Sequence, residues 1–201
     1  MCRQPTRVFA AVIAVIALGL AATTASARTF STSNQNIRAA FRNLEFEAEG
    51  TSTTTCRITL EGSFHSRTIA KVRGALIGYL TRVTTNNCNA AVTILTETLP
   101  WHIRYESFSG ILPNITLILI RTGPISFQYE PGLGTRCLAR DEIDIRFIRI
   151  VPGGQLRFAR IERQLLPLTG FCPSSELALR SGEDGLVTLL GNNTLITVTL
   201  I

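Results

Sequence analysis

Lysine is nearly missing from this chain of 201 residues: of its 20 basic residues only Lys71 is lysine, and the others are arginine. Such usage is the habit of a high-GC genome, and the planar arginine fork also suits carboxylates and phosphates. Aromatic residues are few, with one Trp and three Tyr. That scarcity argues against a membrane-spanning barrel girdled by aromatic belts. The two histidines, His65 and His102, occur without H-E-x-x-H or H-x-H spacing, and no two cysteines form a C-x-x-C pair. No metal site or thioredoxin-type centre is therefore expected. The G-x-S-x-G nucleophile elbow and the phosphate-binding glycine loop are also missing. Outside the first 27 residues no apolar pattern of period 3.6 lasts three turns, which excludes a helical domain.

What is present begins with an address. Arg3 and Arg7 precede an apolar run from Val8 to Ala22, and Ala25-Ser26-Ala27 follows. A charged start, about fifteen apolar residues and an A-x-A site form a secretory signal peptide pattern over residues 1–27. The run is shorter than the roughly 18–20 apolar residues that cross a bilayer. Cleavage is expected, with no transmembrane span afterwards, and the product is secreted or extracytoplasmic in the cell envelope. Removing residues 1–27 leaves 174 residues, and the net charge falls from +6 to +4 because only Arg3 and Arg7 depart. So mild a charge argues against nucleic acid as a partner.

Export changes the meaning of the cysteines. Cys56, Cys88, Cys137 and Cys172 remain once Cys2 has gone, an even number in an oxidising compartment. Four cysteines allow three pairings. Ease of local loop closure favours Cys56–Cys88 and Cys137–Cys172.

Residues 28–36 are rich in Ser, Thr and Asn and read as a flexible N-terminus. From there, residues 37–201 read as a single all-β domain. Leu44, Phe46 and Ala48 alternate with Glu45, Glu47 and Glu49, and Cys56, Ile58 and Leu60 alternate with Arg57, Thr59 and Glu61. A period of two places apolar groups on one face of a strand. About a dozen short strands, with turns at Pro152-Gly153-Gly154 and Gly191-Asn192-Asn193, predict an antiparallel β-sandwich or barrel. Residues 130–135 mark a possible two-lobe division. Leu166-Pro167-Leu168-Thr169-Gly170 matches an L-P-x-T-G sorting signal, yet no apolar segment with a basic tail follows. A Pro-containing edge strand is the plainer reading.

The densest polar-aromatic cluster is Trp101-His102-Ile103-Arg104-Tyr105-Glu106. On a strand, Trp101, Ile103 and Tyr105 share one face, and His102, Arg104 and Glu106 share the other. One reading makes Trp101, His102, Arg104, Tyr105 and Glu106 a ligand platform. The other buries Trp101 and Tyr105 in the core and leaves Arg104 and Glu106 loosely paired in solvent. No catalytic residue and no cofactor is assigned.

The signal peptide, the four-cysteine framework and the segments at residues 62–66 and 99–105 together resemble small secreted all-β proteins of high-GC bacteria. That resemblance implies an exported β-domain and no catalytic residues. Three functions follow. The first is a disulfide-stapled module that binds a cell-envelope component. The second is a β-barrel that holds a small apolar ligand, with isomerase or cyclase activity. The third is a hydrolase built on His102 and Glu106.

Overall fold

The structure, a computed structural model, describes residues 29–89, 91–111, 114–130, 135–151, 155–192 and 194–200. The signal peptide expected at residues 1–27 and the turn expected at residues 152–154 lie outside the described residues. The described chain is all-β, with fourteen strands and one short 3-10 turn, Thr96–Thr98. In order the strands are β1 (Thr29–Thr32), β2 (Asn36–Ala48), β3 (Thr54–Phe64), β4 (Thr68–Ala70), β5 (Leu76–Asn86), β6 (Ala91–Ile94) and β7 (Trp101–Ile111). They continue with β8 (Asn114–Glu130), β9 (Cys137–Val151), β10 (Gln155–Arg160), β11 (Gln164–Gly170), β12 (Glu176–Ser181), β13 (Gly185–Leu189) and β14 (Ile196–Leu200).

Antiparallel pairing runs β2–β3–β5–β7–β8–β9–β11–β12, and β12 pairs back onto β2, with Leu177 opposite Ala48 and Ser181 opposite Leu44. The sheet therefore closes into a barrel. Three wall positions are each filled by two strands laid end to end. β10 takes over from β11 beside β9, β13 from β12 beside β2, and β6 from β7 beside β8.

The alternation seen in the sequence decides which side chains face inward. In β3 it is unbroken: Thr54, Cys56, Ile58, Leu60, Gly62 and Phe64 are all buried. In β2 a bulge intervenes, because Phe41 lies opposite Ile58 and Leu44 opposite Cys56. The extra residue lets Ile37, Ala39 and Phe41, and then Leu44, Phe46 and Ala48, all point inward. Inside, Phe127 meets Phe46 and Trp101 edge to face, with centroids 5.4 and 6.3 Å apart. Each large apolar side chain buried this way stabilises the fold by about 1.5–3 kcal/mol.

One end of the barrel carries an annex in which β14, β1 and β4 extend from β10. Here the reading of residues 28–36 as a flexible terminus is corrected. β1 pairs with β14 on one side and β4 on the other, and Phe30 is completely buried. Its ring packs 5.9 Å from Tyr105 and 5.5 Å from Phe108. Beneath it lies an apolar cavity of about 10 Å³, room for one water at most. After β13 the Leu189 N–H donates to the Thr194 carbonyl at 2.8 Å, and β14 pairs with β10 and β1.

Both expected disulfides, Cys56–Cys88 and Cys137–Cys172, are formed. On either side of the possible division at residues 130–135, β8 and β9 pair along their length, with Tyr129 opposite Cys137; residues 131–134 lie outside the described residues. β11 is no edge strand: it lies between β9 and β12, with Pro167 opposite Glu176.

Candidate functional site

The cluster from Trp101 to Glu106 opens β7, and the barrel wall divides it. Trp101, Ile103 and Tyr105 face the interior, Trp101 with 1 % and Tyr105 with 4 % of its surface exposed. The ligand-platform reading is therefore corrected for Trp101 and Tyr105, because the barrel needs their bulk as core. The Trp101 indole N–H donates to Thr98 Oγ1 at 2.8 Å, which satisfies its one polar atom. Burial pushes the Tyr105 phenol above its ordinary value.

His102 and Arg104 face outward. His102 lies opposite Tyr79 of β5 and opposite Gly123 of β8. Its ring centroid is 5.4 Å from that of Tyr79, and His65 stands 4.9 Å from Tyr79 on the other side. The two histidines of the chain thus flank a single tyrosine. The sequence offered no sign of this, because His65 and His102 are brought together only by strand register. Bulges at Glu61/Gly62 and Leu76/Gly78 set that register. Gly62 and Gly78 permit it: a Cβ at either would collide with the backbone of the facing strand, at Tyr79 and Ser63 respectively.

Arg104 does not pair with Glu106, as the sequence suggested, but with Glu142 at 3.4 Å. Glu106 is the extra residue of a bulge, since Tyr105 lies opposite Ile120 and Ser107 opposite Leu119. Its side chain is only 8 % exposed, and Arg73 Nε approaches at 3.1 Å and an Arg121 nitrogen at 3.8 Å. Two cations compensate this desolvated carboxylate. Arg121 in turn donates to both Asp144 oxygens, at 2.8 and 3.3 Å. That hydrogen bonding raises the Arg121 guanidinium above its ordinary value, while burial opposes the shift.

Beside this network lies an open cleft of about 190 Å³, lined by Arg121, Asp141, Glu142, Asp144 and Gln164. Glu142 belongs to both cleft and ion pair, so the cleft adjoins the row that carries His102. A second cleft, of about 240 Å³, lies near β12 and is lined by Glu47, Glu49, Arg163, Ser174 and Glu176 among others. It has no aromatic ring in its lining. Among the described residues no three of His, Cys, Asp and Glu are grouped to hold a metal ion. His102 and Glu106 are directed at different partners, Tyr79 and the two arginines. No family model, curated protein or solved structure matches this chain.

Proposed function

We propose that the chain is an exported, disulfide-stapled binding module that engages a cell-envelope component through the outer wall formed by β5, β7, β8 and β9. The contrast between the two sides of that wall carries the reading. Inside, the apolar cavity lined by described residues alone holds about 10 Å³, far below the few hundred Å³ of a ligand pocket. Outside, Arg121, Asp141, Glu142, Asp144 and Gln164 line an open cleft of about 190 Å³, and Glu142 pairs with Arg104 of the row that carries His102 and faces Tyr79. The two disulfides suit an oxidising compartment, as the sequence pattern of residues 1–27 requires.

Cosedimentation with washed cell envelopes of the encoding host tests the proposal. The protein without residues 1–27 is compared with a His102→Ala/Arg104→Ala variant, and with Arg180→Ala at β12 as a control on another part of the wall. Wild type and control are expected to sediment while the double variant stays in solution. Equal sedimentation of all three, or none by wild type, overturns the reading. A small molecule retained on native protein would instead favour the apolar-ligand barrel.

A further inference from the structure

We infer that a second face of the barrel, the outer wall of β2, β3 and β5, binds an acidic polysaccharide whose carboxylates are spaced along the chain rather than borne on every sugar. This face goes beyond the reading above and does not depend on it, because its anchoring arginines are not those of the cleft.

The alternation of burial puts four arginines on this wall. Arg38, Arg42, Arg57 and Arg82 point outward, while Ala39, Phe41, Ile58, Leu60 and Val83 are buried. Register gathers the arginines into two rows. Arg38 lies opposite Glu61, and Glu61 opposite Arg82. In the second row the bulge between Phe41 and Leu44 sets Arg42 and Asn43 against Arg57, which lies opposite Asn86. Arg57 and Glu61 are four residues apart on β3, so the rows stand roughly 13 Å apart. Ala40, Thr59 and Thr84, opposite one another, fill the space between.

Four arginines face one glutamate here, a surplus of three, when all residues after 27 together carry +4. Glu61 is shared, at 3.5 Å from Arg38 and 3.6 Å from Arg82. Elsewhere one carboxylate holds one guanidinium at 2.6 Å, as in Arg146–Glu162 and Arg160–Asp184. At the longer distances most of the five guanidinium donors stay free. Among the described residues no carboxylate forms an ion pair with Arg42 or Arg57. Glu45, further along β2, is held by Arg180. Like charges facing each other across a strand pair are unfavourable, and an anion seated between Arg42 and Arg57 relieves that repulsion. The planar guanidinium fork matches a carboxylate.

Spacing selects the polymer. Nucleic acid carries a phosphate about every 3.4 Å along each strand, so several would fall over Ala40, Thr59 and Thr84, which carry no charge. Single strands are also held by stacking on aromatic residues, and the row between the arginines has none. A glycan with its carboxylates set apart meets both rows at once. Its neutral sugars then lie over the hydroxyls of Thr59 and Thr84. One chain engaging two rows binds far more tightly than either row would alone.

The probe is fluorescein-labelled hyaluronate, which carries a carboxylate on every second sugar. It is titrated with the protein without residues 1–27 and read by anisotropy. Saturable binding that weakens as salt rises is expected. Arg42→Gln/Arg57→Gln should weaken it roughly tenfold or more, and Arg136→Gln/Arg163→Gln, which removes the same charge elsewhere, should change it by less than about twofold. No binding of hyaluronate, equal loss in both double variants, or equal or tighter binding of a labelled oligothymidylate of matched charge overturns the inference. Fluorescence of buried Trp101 checks that each variant is folded. Should Arg42→Gln/Arg57→Gln not fold, Arg82→Gln decides, with unchanged affinity counting against. Hyaluronate affinity should be unchanged in His102→Ala/Arg104→Ala, which fails on the other face. A matching loss there would place the polymer on the cleft side and overturn the assignment.

Discussion

Gln164 stands in for a missing stretch of strand beside Asp144. Its side-chain oxygen accepts from the Asp144 backbone N–H at 2.7 Å, and its amide nitrogen donates to the Asp144 carbonyl at 2.8 Å. β10 ends at Arg160 and β11 begins at Gln164, so at Asp144 β9 has β8 on one side, with Arg121 opposite, and no strand on the other. One side chain supplies both hydrogen bonds that a neighbouring residue would make.

Gln164→Ala should therefore leave two part-buried backbone groups without partners and lower stability by roughly 1–3 kcal/mol. A urea titration should show a lower midpoint at unchanged slope. Gln164→Glu should not restore it, because it keeps the acceptor, loses the donor and adds charge near Asp144. An unchanged midpoint for Gln164→Ala would mean that solvent serves β9 equally well.

Trp101, the single tryptophan, tests the assignment of β7's inner face to the core. Its emission in the native protein should be blue-shifted and should move red in one cooperative transition on unfolding. Trp101→Ala should cost about 3–5 kcal/mol, as large-to-small changes in a filled core do. Circular dichroism against denaturant measures this without the indole. A midpoint equal to wild type would place the ring outside the barrel.

The disulfides join residues 32 and 35 positions apart. In the chain-entropy account each bridge should stabilise the fold by about 3–4 kcal/mol. Cys56→Ala/Cys88→Ala and Cys137→Ala/Cys172→Ala should each lower the denaturation midpoint accordingly. The mature protein should take up maleimide only after reduction, and labelling of the untreated protein would contradict the pairing.

Tyr105 gives the fold an alkaline limit. Burial pushes its phenol above the ordinary value of 10.0, so the folded state holds this proton more tightly than the unfolded chain. The stabilisation is complete below the unfolded value and declines as pH rises through and beyond about 10. Wild type should lose denaturant resistance between neutral pH and about pH 11, and Tyr105→Phe should lose less of it. Parallel declines in the two proteins would remove Tyr105 as the cause.

The strands were legible wherever the period of two ran unbroken, as in β3, and the cysteine pairing was legible because each bridge closes a local loop. β11 was read as an edge strand because Pro167 cannot donate to a ladder, although tertiary pairing holds it between β9 and β12. β1 was missed because a four-residue strand in polar sequence has no signal except Phe30. At the candidate site, the inward and outward faces of β7 could be read from alternation. The burial of Glu106 could not, since it depends on a bulge defined only against β8. Nor could the meeting of His65 and His102 across Tyr79.

By itself, then, the amino-acid order determined an all-β chain with two local crosslinks and an apolar face on each strand. Those properties depend on neighbours one or two positions apart, or on closing a loop of modest length. Closure into a barrel, the end-to-end strand pairs and the ring-lined outer wall were decided by the tertiary structure. Each depends on register, and a single bulge between distant strands shifts register by one residue and turns a side chain from core to solvent.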